Sequence, residues 1–123
     1  MEEIGKIFSK DEANNLYGAV QQSKDISSSE LASLFSGSKN YLMFKIINNQ
    51  LVILGDKRVV LYPAGYKDDN KEVFAVYSIS KIQELLNTGK AVATTVEQRS
   101  EVISINNGEQ TLEMMHWCPP YCD

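Results

Sequence analysis

The residues best suited to chemistry crowd the C-terminus. His116-Trp117-Cys118-Pro119-Pro120-Tyr121-Cys122-Asp123 holds the only histidine, the only tryptophan and both cysteines of the chain. Cys118 and Cys122 are a candidate disulfide, and His116, Cys118 and Cys122 together offer the imidazole and thiolate donors that suit zinc or copper. Each chemistry meets an obstacle. A residue before proline is pushed toward extended geometry, so Cys118 and Pro119 run extended and the chain must reverse at Pro120 and Tyr121 before the two α-carbons come within about 7 Å. Structural zinc sites draw ligand pairs from two separated segments, whereas here one short tail would wrap the ion by itself, with Asp123 or the terminal carboxylate as fourth donor. The competing reading needs no chemistry. Strand alternation sets Thr111, Glu113, Met115 and Trp117 on one face and Leu112, Met114 and His116 on the other, Trp117 packs onto the fold, and 118–123 is a short Cys/Pro tail carrying free thiols.

A second candidate is Tyr62-Pro63-Ala64-Gly65-Tyr66, two tyrosines around a proline-fixed turn at a strand end. Tyrosine and tryptophan give large contact area at low entropic cost, which marks Tyr62, Tyr66, Trp117 and Tyr121 as candidate partner contacts. The alternative is that Tyr62 finishes its strand in the core and Tyr66 folds back over it. Enzyme signatures are absent: no phosphate-binding or dinucleotide-binding glycine loop, no H-E-x-x-H and no G-x-S-x-G occurs, so no catalytic or cofactor-binding residue is singled out and no cofactor is expected. Glu97, Glu101, Glu109 and Glu113 lie in the last strands, where alternating acids read as the wet face of an antiparallel sheet.

These residues need elements to hold them. Ser9-Lys10-Asp11-Glu12 has capping-box spacing, and Ala13, Leu16, Tyr17 and Val20 then recur at helical intervals, predicting a helix to about Gln22. Ser27-Ser28-Ser29-Glu30 repeats the signal, with Leu31, Leu34 and Phe35 as buried face and Gly37 as the stop. From Tyr41 the rhythm changes to alternation. Leu42, Phe44 and Ile46 face one way, Asn48-Asn49 suits a two-residue turn, Leu51–Leu54 returns as a central strand, and a reversal at Gly55-Asp56-Lys57 leads into Val59–Tyr62. Lys57 and Arg58 read as the solvated edge of that turn. A strand over Val73–Ser78, a two-turn helix capped by Ser80 and stopped by Gly89, a strand through Val92, Thr94 and Val96, and a hairpin from Val102 around Asn106-Asn107-Gly108 to Trp117 complete the order. The expected fold is a single α+β domain over 1–123, with one antiparallel sheet of about six to seven strands built from hairpins, two N-terminal helices and one short helix packed against it.

Composition narrows the function classes. A chain of 123 residues with 43% hydrophobic and 23% charged residues suits one ordinary core. A net charge of −4 with basic residues scattered singly disfavours a phosphate backbone, so no nucleic acid is expected. The longest apolar runs fall far short of the roughly 18 residues of a membrane span, so no membrane partner is expected. Met1-Glu2-Glu3 puts acids where a signal peptide needs positive charge, giving a cytoplasmic expectation. The leading functional expectation is a non-catalytic protein-binding or regulatory module, with a protein partner or self-association. A thiol-dependent redox or metal-binding function at His116, Cys118 and Cys122 is the main rival, and a small enzyme with a pocket between helices and sheet is the third.

Overall fold

A computed structural model describes residues 3–68, 71–89 and 93–118. In chain order it contains β1 (Lys6–Ser9), α1 (Lys10–Tyr17), β2 (Gln22–Ser27), α2 (Ser28–Ser33), β3 (Tyr41–Ile47), β4 (Gln50–Leu54), β5 (Val60–Tyr62), β6 (Phe74–Ser78), α3 (Ile79–Gly89), β7 (Ala93–Gln98), β8 (Ile103–Asn106), β9 (Gln110–Glu113) and β10 (His116–Cys118). Short 3-10 turns follow α2 at Leu34–Gly37 and β4 at Asp56–Arg58.

The strands form two antiparallel sheets of five, ordered β1-β9-β8-β7-β2 and β10-β6-β3-β4-β5. This corrects the expectation of one sheet of six to seven strands. The α+β class and the hairpin construction stand; the division arises at Met114. That residue takes φ 63, a left-handed conformation that breaks the pleat, and the chain leaves β9 in the first sheet to pair as β10 with β6 in the second. The alternation expected to run from Thr111 to Trp117 is therefore interrupted.

Two further strands were hidden in the opening forty residues. The first helix does not continue to Gln22, because Gly18 caps it with φ 85 and its N–H bonds Asn14 O at 3.0 Å. The freed residues form β2, a polar edge strand paired only with β7, whose sole buried side chain is Ile26. Lys6–Ser9 forms the opposite edge against β9.

The 41–62 meander is as expected. Asn48 and Asn49 take φ 50 and 64, the paired left-handed values of a tight hairpin turn, and β4 lies between β3 and β5. Asp56 anchors its entrance, its carboxylate accepting the backbone N–H groups of Lys39, Asn40 and Tyr41 at 3.1, 3.0 and 2.9 Å.

Adjacent rows across the first sheet point to opposite sides. Ile7, Leu112, Ile105 and Val96 lie in register and join Leu42, Phe44, Ile53 and Tyr77 of the second sheet, with Leu31 of α2 and Ile82 and Leu85 of α3, in the main core. Tyr77 crosses that core and donates its hydroxyl to the carbonyls of Ile103 and Leu112 at 2.7 and 3.1 Å, so its buried polar tip is satisfied. The far face of the second sheet carries a smaller core of Tyr41, Met43, Val52, Leu54, Phe74, Val76 and Cys118.

Candidate functional site

The next row of the first sheet, one residue along, aims the other way. Lys6 pairs with Glu113, and Ser104 pairs with Glu97, so these side chains share the face away from the main core. Helix α1 lies on this face. Its Ser9 and Glu12 complete the capping box, Ala13 is buried, and the Tyr17 ring meets Phe8 edge-on with centroids 6.1 Å apart. Glu97 and Glu113 are consequently buried, 8% and 0% exposed, which corrects their expected place on a wet face. The physical reason is the helix laid over them, which strand alternation alone does not reveal.

Arg99 joins them, 1% exposed. Its Nε donates to Ser104 Oγ at 2.9 Å and lies 3.5 Å from Glu113 Oε2, and its Nη2 donates to Glu97 Oε1 at 3.4 Å. The remaining nitrogen, Nη1, donates to Asn14 Oδ1 at 2.8 Å and to the carbonyl of Gly18. One guanidinium therefore faces two carboxylates and clasps the C-terminal end of α1. Ser104 Oγ donates to Glu113 Oε2 at 2.6 Å, while Glu113 Oε1 is buried without a hydrogen-bond partner. Burial pushes the Glu113 carboxyl above its usual range, opposed by the Ser104 hydrogen bond and the Arg99 charge. Glu97 is also raised, again chiefly by burial, with Arg99 and Lys10 opposing. The Tyr17 phenol is raised by burial and by the nearby Glu113 charge. Sequence reasoning missed Arg99, Glu97, Glu113, Ser104 and Asn14 as a group; the one available signal was the charged alternation Glu97-x-Arg99, which fits a wet face equally well.

The second inward-turned arginine is Arg58, its side chain 9% exposed, which corrects its expected place on a solvated turn edge. Lys57 and Arg58 take φ 58 and 63, a left-handed pair that turns the Arg58 side chain inward. Its Nε and Nη2 donate to the two carboxylate oxygens of Asp68, both at 2.7 Å, and Nη2 also donates to the carbonyl of Glu72 at 3.0 Å. The guanidinium lies 5.1 Å over the Phe74 ring. Its Nη1 reaches the last strand, donating to Cys118 Sγ at 3.3 Å and lying 3.4 Å from the Cys118 carbonyl oxygen.

The residues singled out from sequence gather only in part. His116, Trp117 and Cys118 form β10. Trp117 pairs with Ala75 and leans on the main core, while His116 and Cys118 pair with Val76 and Phe74 on the side of the smaller core. Cys118 is disulfide-bonded and fully buried. Cys122, Tyr121 and the rest of 119–123 lie outside the described residues. Among the described residues, no three His, Cys, Asp or Glu side chains come together as a metal site. Tyr62 is half-buried against the main core and Tyr66 against the smaller one, on opposite sides of the second sheet.

Two open clefts lie at the surface among the described residues. One, of about 410 Å³, is lined by Phe35, Lys39, Asn40, Ser78, Ser80 and Gln83, and Ser80 Oγ at its wall bonds the Glu3 carboxylate. The other, of about 480 Å³, opens between the start of β1, the first turn of α3 and the crossing from β9 to β10. Among the described residues no helix is long and apolar enough to cross a membrane. Compared with models of known families, with curated proteins and with solved structures, the chain matches none.

Proposed function

We propose that this chain is a non-catalytic protein-binding or regulatory module whose contact element is α1 and the turn after it. The observation that supports this reading is the outward side of that element: Leu16 is 62% exposed and Val20 38% exposed. Single exposed apolar residues are ordinary on any surface. Here the two bracket Gly18, whose carbonyl is held by Arg99, so an apolar pair is carried on a segment fastened to the sheet by polar bonds. Rigid presentation lowers the entropy lost on binding, and proton uptake at the carboxylates below supplies a means of regulation. Size-exclusion chromatography with light scattering tests the reading for self-association and, with a captured partner, for hetero-association. Association lost in a Leu16→Asp, Val20→Asp variant that remains folded supports it; a strict monomer that holds no partner contradicts it.

A thiol-dependent reading is favoured by a separate observation, the Arg58 guanidinium 3.3 Å from the disulfide-bonded Cys118 sulfur. A neighbouring cation stabilises the thiolate that reduction releases. Thiol titration with and without reductant, together with elemental analysis, separates this reading from the first. Two unreactive free thiols and no bound metal remove it.

A further inference from the structure

The cleft at the β9-to-β10 crossing has features that the α1 surface does not explain. Gly5, at the entrance to β1, takes φ 128, and a Cβ there would stand 2.9 Å from Leu112 Cδ1 and 3.3 Å from Lys81 Cβ. Only glycine lets the start of β1 approach α3 this closely, and that approach sets Lys81 beside the neighbour of Lys6. On the opposite wall, Met114 is held in its left-handed conformation with its side chain 54% exposed, and His116 begins β10 two residues later. A bulky residue in that conformation is strained, and the crossing between sheets accounts for the backbone but not for the outward apolar side chain.

In a protein of net charge −4, the residues that line this opening include Lys6 and Lys81, with Glu3 at the rim. The acid on the rim, Glu3, bonds Ser80, and Lys81 contacts Glu84 at 3.7 Å, a loose contact between a half-buried lysine and an exposed acid. The Lys6 ammonium rests 5.4 Å from the Phe8 ring on the α1 side of β1, where its charge also acts on Glu12, and rotation of its stem exchanges these weak contacts for a ligand in the cleft. Field lines from clustered cations concentrate in a concave opening, and a volume of about 480 Å³ falls within the range of small-molecule sites.

We propose that this cleft binds a small organic carboxylate. The carboxylate sits between the Lys6 and Lys81 ammonium groups, and the apolar body of the ligand rests on Met114. The exposed methionine distinguishes this ligand from a bare inorganic anion, which has nothing to place against a thioether.

The test is a titration of the intact protein, with methionine methyl groups and the histidine ring followed by NMR, using benzoate as the probe and inorganic phosphate at matched ionic strength as the comparison. The expected result is saturable shifts at Met114 and His116 with benzoate, a dissociation constant on the order of 1 mM, and weaker binding of phosphate. A Lys81→Gln, Lys6→Gln variant is expected to weaken benzoate at least about tenfold, and Met114→Ser to weaken benzoate while leaving phosphate unchanged. Unfolding midpoints of both variants establish that the fold is retained. Shifts that do not saturate, benzoate binding unchanged in the lysine variant, or phosphate binding as tightly as benzoate each overturn the proposal. None of these outcomes depends on the α1 surface.

Discussion

Two arginines turn inward in this fold, Arg99 fully buried and Arg58 partly so, and they are held on different terms. Arg58 and Asp68 make a two-point contact, their side chains 9% and 6% exposed and both carboxylate oxygens bonded. Arg99 faces two carboxylates, and one oxygen of Glu113 has no hydrogen-bond partner. The first arrangement pairs one cation with one carboxylate. The second carries a buried excess of one negative charge when both acids are ionised, and removal from water raises both Glu97 and Glu113, with the Glu97 charge adding a smaller push on Glu113. A balanced pair fixes geometry and is indifferent to small changes in pH, whereas an unbalanced one is sensitive to protons. The fold places the balanced pair where it braces the last strand and the unbalanced one beneath the helix that bears the exposed apolar residues.

Substituting the two cations breaks the comparison open. Arg99→Met strands two buried carboxylates and loosens α1, so a loss of about 3–5 kcal/mol is expected in urea unfolding at neutral pH, with part of it recovered in mild acid where the carboxyls take up protons. Arg58→Met strands one carboxylate, and a smaller loss of about 2–3 kcal/mol is expected in the same measurement. If the two losses were equal, or their order reversed, the distinction between shared and paired charge would fail.

Glu113→Gln sharpens it. Removing the excess charge while keeping the shape and an acceptor for Ser104 is expected to stabilise the protein by about 1 kcal/mol at neutral pH, read from the urea midpoint. The smallest effect belongs to the outer side of α1, where Leu16→Asp is expected to change stability by no more than about 0.5 kcal/mol while abolishing association measured by light scattering. A loss of stability as large as that of Arg58→Met would instead place Leu16 in the packing of the fold.

Much of the frame was legible in the residues. Alternation from Tyr41, the Asn48-Asn49 pair and the glycine stops marked the meander and α3, because those signals are local and each has its own mechanical cause. What escaped is what depends on neighbours distant in sequence. β2 reads Gln-Ser-Lys-Asp-Ile-Ser and has no apolar rhythm, since an edge strand exposed on most of its surface needs none. The strand ending at Glu113 and the one beginning at His116 read as one alternating run, because a single left-handed residue at Met114 leaves no mark in composition. Glu97 and Glu113 looked like surface acids because a charge on a strand is wet or buried according to what lies over it, and α1 arrives from eighty to a hundred positions away. Arg58 had the same defect in reverse: beside Lys57 it resembled a solvated pair, and only the two positive φ values turn it inward. The candidate site was legible at the level of elements, with β10 carrying His116, Trp117 and Cys118, but the charged cluster beneath α1 was not.

The dependence of stability on pH is the measurement closest to the central claim. Both carboxyls have folded pKa values raised above the usual 4.5. The native state therefore holds protons that the unfolded chain has released, and the stabilisation this gives is fully present below 4.5 and lost as pH rises through the raised values. Unfolding free energy measured from about pH 8 down to about pH 5 is predicted to rise in the natural protein and to rise distinctly less in Glu113→Gln. A free energy that falls over that interval, or the same slope in both proteins, would contradict a buried, proton-sensitive charge under α1.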